Sequence, residues 1–353
     1  MSGIRILRAG AATVSLPAIA LLLSFFSGPT PGAADYPQAE ISNGQVTAKV
    51  YLPDAKNGYY RSTRFDWSGA VYNLKYKDHD FYGVWYDRVD PKVINWVYRG
   101  PDIVSGPCSA LYGPVDEFAT PLGWDEAQNG GTFIKLGVGV LRKAGEATYN
   151  RYVPYEVLDP GKRSVKKGKD SIEFTQELSD PATGYGYLYR KTVRLEKGKP
   201  EMTIEHSLRN TGKRPIESSV YNHNFMVMDK QGPGPDSTFK VPFDIQVSRP
   251  PNKDLAEVRG NQVVYAKPLS GEDQVAIPIQ GFGDTAKDSE IVIENKKAGT
   301  GVKISGDRPL VRSLLWSIRT VLAIEPYVAI SVQPGAEFTW KNTLDYYTLA
   351  AAR

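Results

Sequence analysis

The chain has 353 residues, a formal net charge of +4 and a single cysteine, Cys108. A lone cysteine excludes an intramolecular disulfide and a thiolate metal cluster, and so small a charge excess gives no electrostatic case for nucleic acid binding. With 41% apolar residues, a chain of this length can bury a core large enough to stand without covalent staples.

Read from the N-terminus, Arg5 and Arg8 precede an uncharged apolar stretch from Ala9 to Phe26, interrupted by Pro17 and followed by Gly32-Ala33-Ala34. That order is the secretory-signal pattern. Residues 1–34 are therefore expected to be a signal peptide, with an uncleaved membrane anchor as the rival reading, and residues 35–353 one exported domain, periplasmic or extracellular. Removing the signal deletes two arginines and no acid, so +4 becomes +2. No mature membrane span is expected, because even Leu314 to Val332 carries Arg319 and Glu325.

Beyond Asp35 the alternation of apolar and polar residues has period two, and no long stretch carries a helical stripe. Strands are expected at Val46–Leu52, Gly69–Tyr76, Phe81–Tyr86 and Thr132–Val140. Further expected strands are Tyr149–Leu158, Ser171–Leu178, Tyr185–Leu195, Met202–Leu208, Val220–Met228 and Thr238–Val247. The series closes with Val275–Phe282, Glu290–Asn295, Tyr327–Val332 and Glu337–Tyr347. Clusters such as Asp159-Pro160-Gly161, Asn210-Thr211-Gly212 and Gln333-Pro334-Gly335 supply the turns. The basic run from Lys162 to Lys169 reads as a solvated turn. The long irregular stretch Asp87–Gly131 is rich in glycine and proline, and its aromatics favour order over disorder. The fold class is all-β. No repeat of fixed period points to a propeller.

Face assignments single out two residues. Pro326, Val328, Ile330 and Val332 share one face of their strand and should meet a core, which puts Glu325 on the opposite face, expected to be accessible, with Tyr327, Ala329 and Ser331. His206 has the parity of Met202, Ile204 and Leu208, so it reads as a hydrogen-bonded histidine inside a core. His79 reads as a hairpin tip. His223 shares parity with Tyr221, Phe225 and Val227, a mixed face that parity leaves undecided. Asp116 and Glu117 are adjacent in a strand-like segment, so they point to opposite faces and match a two-carboxylate glycosidase site poorly. Trp67, Trp85, Trp96 and Trp124 are expected in the core more readily than as sugar platforms.

Two segments carry a resemblance. Asn222-His223-Asn224-Phe225 follows a strand and a turn near the middle of the chain. Ile324-Glu325-Pro326 precedes a Pro334-Gly335 turn and a final strand. Both are similar to the catalytic strands of the aldose 1-epimerase (galactose mutarotase) superfamily, in the same order and about a hundred residues apart. The resemblance implies a supersandwich of large twisted antiparallel sheets, a sugar substrate, and no metal or organic cofactor. It also implies that Glu325 takes the proton of the anomeric hydroxyl while His223 protonates the ring oxygen. Family members carry a further histidine before a glycine in the first half; here Leu111-Tyr112-Gly113 stands at that place, with Tyr112 in the histidine's position. The expected sugar-binding arginine is sought in Tyr59–Trp67, with Arg64 preferred. Arg64, Tyr112, Asp66 and Asn222 are thus the substrate-binding candidates, although Arg64 and Asp66 also read as a structural ion pair at a strand start. A non-catalytic carbohydrate-binding protein is the alternative function. A polysaccharide lyase or glycoside-modifying enzyme comes third.

Overall fold

The strong two-residue period makes many of the strands apolar on one face, and such faces are stable only when they pack on one another. In the computed structural model, which describes residues 36–350, this produces antiparallel sheets joined by short turns. The largest sheet has ten strands. Lys162–Lys167, Ser171–Asp180, Tyr185–Leu195 and Glu201–Asn210 follow one another across it, and Glu337–Thr348 lies beside the last of these. The sheet continues through Thr300–Gly306 and Ile291–Asn295 to an edge at Ala256–Arg259. A five-stranded sheet runs in the order Gln274–Ile279, Arg312–Ile318, Val321–Val332, Ile216–Met226 and Pro114–Phe118.

The two sheets pack face to face. Met202, Ile204, Val302 and Leu344 of the larger meet Ile277, Leu315, Leu322 and Ile324 of the smaller in one cluster. Tyr187, Tyr189, Leu208 and Trp340 meet Val220, Ile330 and Val332 in another. The far face of the five-stranded sheet is covered by the irregular first-half segments, whose aromatic side chains form a third cluster around Phe65, Trp85, Tyr112 and Phe225. This far face carries the site described below.

Seven of the fourteen expected strands are present within two residues at both ends. Four others are shifted or cut at one end, Thr238–Val247 stopping at Lys240 and Tyr327–Val332 beginning at Val321, and the remaining differences have local causes. The Thr132–Val140 stretch is a hairpin, Thr132–Lys135 and Gly139–Arg142, because Gly137 turns the chain at φ +77°. Phe81–Tyr86 is buried at most positions but joins no ladder, since its backbone bonds to Leu74 and Val227 are both made at Phe81. Most of Tyr149–Leu158 is turn, with only Val157–Asp159 paired. The basic run expected as a solvated turn contains an edge strand, Lys162–Lys167, whose lysines point into solvent. The irregular Asp87–Gly131 stretch contains a small sheet built from Arg88–Val89, Trp96–Arg99 and Asp102–Ser105. Among the described residues no helix is long and apolar enough to cross a membrane. The expected signal peptide lies outside the described residues.

Candidate active site

The strand Ile216–Met226 leaves the Asn210–Pro215 turn and is held between Val321–Val332 and Pro114–Phe118. Its even positions enter the sandwich. Its odd positions Tyr221, His223 and Phe225 face the other way, which settles the face that parity alone left open. The register with Val321–Val332 pairs Tyr221 with Tyr327 and Asn224 with Ile324. His223 therefore stands opposite Glu325. Directly opposed residues of an antiparallel pair bring their side chains into contact, and His223 Nε2 lies 3.2 Å from Glu325 Oε1. The ladder is interrupted between those two register points, where Pro326 has no N–H to give.

The pair is fixed from both sides. The His223 ring stacks on Phe225 at a centroid distance of 3.7 Å. The other carboxylate oxygen of Glu325 accepts a hydrogen bond of 2.8 Å from the Tyr327 hydroxyl, and the Tyr327 ring stacks on Tyr221. Glu325 was expected on an accessible sheet face; it is only 6% exposed, because the first-half segments roof that face. Burial holds His223 below the ordinary histidine value, and its buried Nδ1 has no hydrogen-bond partner among the described residues to offset that cost. Burial also opposes charge on Glu325. The adjacent imidazole, the Arg64 guanidinium and the Tyr327 hydroxyl outweigh it and hold the carboxyl below its ordinary range. An ionised carboxylate only accepts, so the imidazole proton shared by the pair sits on Nε2.

Behind this pair lies a cation–carboxylate cluster. Arg64 Nε reaches Glu117 Oε2 at 2.7 Å, its Nη1 reaches Ser109 Oγ at 3.2 Å and its Nη2 reaches the Tyr221 hydroxyl at 3.1 Å. Arg151 Nη1 lies 3.1 Å from Glu117 Oε1 and 3.1 Å from the Tyr221 hydroxyl, and that hydroxyl donates to Glu117. Burial opposes charge on Glu117, yet Arg64, Lys135 and Arg151 hold its pKa down to about 2. Burial draws Lys135 down to about 8. Arg64 thus spends three of its five N–H donors on partners inside the protein, and the other two make no hydrogen bond among the described residues.

His223, Glu325 and Arg64 all line one cavity of about 220 Å³, walled by Trp85, Trp96 and Trp316. Three other sequence candidates do not line it. Asn222 points into the sandwich and donates to Asp116 at 2.8 Å, as its parity opposite to His223 requires. Asp66 is buried beside Tyr189 at 3.1 Å and Lys191 at 3.6 Å, and its expected pairing with Arg64 does not form. Tyr112 lies in a tyrosine cluster, 2.9 Å from the Tyr51 hydroxyl, and lines a separate cleft of about 1110 Å³. It reaches that position through Gly113, whose φ of +85° carries the chain over the Val71 carbonyl where a Cβ would stand 1.8 Å from the oxygen. Trp85 and Trp96, expected in the core, wall the cavity; Trp67 and Trp124 are buried away from it. Sequence reasoning missed Arg151, Tyr221 and Trp316. The alternation Tyr221-His223-Phe225 held the signal for Tyr221; Arg151 sits in a turn that was read as strand, and no local pattern marked it.

No protein-family model and no curated protein sequence matches this chain. Its fold is that of solved galactose mutarotase-like structures. A galactose mutarotase related enzyme from Lactobacillus acidophilus superposes with a TM-score of 0.51 at 14% identity, covering 90% of this chain and 99% of its own. A GalM/aldose epimerase homologue from C. elegans gives 0.51 at 14% identity, covering 89% and 99%. A galactose mutarotase-like protein from Clostridium acetobutylicum gives 0.50 at 13% identity, covering 88% and 95%. At these identities the likeness concerns the fold.

Proposed function

We propose that the protein is an aldose 1-epimerase-like enzyme that interconverts sugar anomers by opening and reclosing the ring. The observation that carries this reading is the His223–Glu325 pair, 3.2 Å apart and open to a cavity. In a cyclic sugar the anomeric hydroxyl and the ring oxygen are borne on one carbon, so an acid and a base that serve both must lie close together. Ionised Glu325 takes the anomeric hydroxyl proton while imidazolium His223 gives its Nε2 proton to the ring oxygen, and the C1–ring oxygen bond breaks to leave an open-chain aldehyde. After rotation about C1–C2, His223 recovers the proton from the chain hydroxyl as it attacks the carbonyl. Glu325 returns its own proton to the carbonyl oxygen. The pair holds one proton throughout, and atoms and charges balance. General acid–base assistance of this kind contributes roughly 10²–10⁴-fold.

Arg64 lies beside the carboxylate and supplies donors for sugar hydroxyls, while the tryptophan walls suit the apolar face of a pyranose. A cavity of about 220 Å³ accommodates a single ring. Those tryptophans would serve equally in a sugar-binding protein without turnover, which is the second reading.

Polarimetry separates the readings. The enzyme should accelerate the decay of optical rotation of at least one freshly dissolved aldose anomer. Saturable sugar binding without that acceleration would replace the proposal with the binding reading, and new unsaturated or reducing ends released from a polymer would replace it with a cleaving enzyme.

A further inference from the structure

The cavity that holds His223 and Glu325 has a continuation. An open cleft of about 490 Å³ is lined by Asn95, Trp96, Val97, Tyr98, Glu272 and Gln274. Asn95, Trp96 and Gln274 also line the inner cavity, so these three residues form a threshold between a half-open chamber and a more exposed surface groove. Aromatic rings run through the threshold without a break. Trp85 contacts Trp316 at a centroid distance of 5.5 Å, Trp316 contacts Trp96 at 5.6 Å, and Trp96 contacts Tyr98 at 5.2 Å. Trp96 and Tyr98 are only partly buried.

The threshold is built firmly. Asn95 adopts φ +66°, a conformation non-glycine residues take up sparingly, and its side chain accepts a hydrogen bond of 2.8 Å from Ser109, which also binds Arg64. Tyr98 is held by the Asp273 carbonyl at 3.3 Å and by the Arg319 guanidinium 5.0 Å from its ring centroid. The groove offers amide and carboxylate groups of Asn95, Gln274 and Glu272 beside those rings. Alternating aromatic and amide surfaces match the apolar faces and hydroxyl edges of successive sugar units.

We infer that the ligand is longer than one ring: the reducing-end unit of an oligosaccharide occupies the chamber, and the next unit lies in the groove between Tyr98 and Glu272. This inference rests on the sugar-site reading above, and it is testable without turnover. Isothermal titration calorimetry would compare glucose, galactose and mannose with cellobiose, maltose, lactose and mannobiose, using the wild type, Glu325→Gln, Tyr98→Ala and Glu272→Ala. For at least one disaccharide, affinity should exceed that of its reducing-end monosaccharide by about tenfold or more. That ratio should persist in Glu325→Gln and fall at least about fivefold in Tyr98→Ala or Glu272→Ala, each expressed relative to the same variant's monosaccharide affinity. Equal affinities for mono- and disaccharides throughout the panel would overturn the inference, as would a length dependence untouched by both groove variants. A length-dependent affinity without acceleration of anomer exchange would remove the epimerase reading and leave this one standing. Absence of saccharide binding would remove both.

Discussion

Asp116 and Glu117 are neighbours in one strand, both are fully buried, and each gathers cations, yet their surroundings differ in kind. Asp116 points into the sandwich, 2.5 Å from Lys191 and 2.9 Å from His206, with Asn222 on its other oxygen. Glu117 points outward to Arg64, Arg151 and Tyr221, and beyond them His223 and Glu325 border open space. Burial and charge are common to both clusters. What separates them is access, together with donors that the protein itself leaves uncommitted. A buried ionic network is therefore a poor marker of chemistry on its own; the inner one is expected to hold the sheets in register and the outer one to orient groups toward a ligand.

The largest expected effect falls on the outer cluster. Glu325→Gln or His223→Ala should lower kcat/KM for anomer exchange by roughly 10²–10⁴-fold while the chain stays folded, measured by polarimetry beside circular dichroism. Wild-type rates in both variants on every active sugar would end the proposed roles. The matching change inside the sandwich, Asp116→Asn, should act on stability instead. It leaves Lys191 with only the more distant Asp66 carboxylate at 3.6 Å, and since breaking a buried pair outright costs about 3–5 kcal/mol, a loss up to that size should appear in urea unfolding. Equal losses of activity from the Asp116 and Glu325 variants, after correction for the folded fraction, would erase the distinction between the clusters.

Tyr327→Phe removes one donor from the Glu325 carboxylate. A hydrogen bond to a charged group is worth about 1.5–3 kcal/mol, so kcat/KM should fall by roughly ten- to a hundredfold and Glu325 should titrate nearer its ordinary value. The pH profile follows from directions already described. Because burial holds His223 below the ordinary histidine value of about 6.5, its charged form is lost as pH rises through that lowered value, and kcat/KM should decline above it. On the acid side, activity should fall only below the ordinary carboxylate range, since Glu325 is also held down. A profile still rising above pH 7 would contradict the imidazolium role. Smallest is Tyr112→Phe, which deletes the bond to Tyr51 away from the chamber: about 1 kcal/mol of stability and no change in sugar kinetics.

Much of this arrangement was legible before any coordinates. The period-two pattern located most strands of both large sheets, and parity placed Glu325 opposite a core face, His206 inside one, and Asp116 and Glu117 on different sides. What escaped was set by tertiary packing. His223 lies on a strand buried on both faces, where apolar alternation fades and parity groups residues without saying which face meets the sandwich core. Arg64 kept its proximity to the chamber, but its partner is Glu117, 53 positions away, not Asp66 two positions on. Tyr112 was assigned by order along the chain, whereas the crossing at Gly113 turns it toward a different cleft. The cavity itself arises where irregular segments roof a sheet, and roof positions carry no periodicity to read.

The strand Lys162–Lys167 ends the ten-stranded sheet with Lys162, Lys166 and Lys167 in solvent. An unpaired strand edge is a template onto which another chain can hydrogen-bond. Crowding like charges along that margin makes the approach of a second such sheet repulsive, so the sheet is protected from fibrous growth by electrostatics and not by a covering element. The protection would weaken at high ionic strength or on acetylation of those lysines, and lengthwise association should begin at that flank.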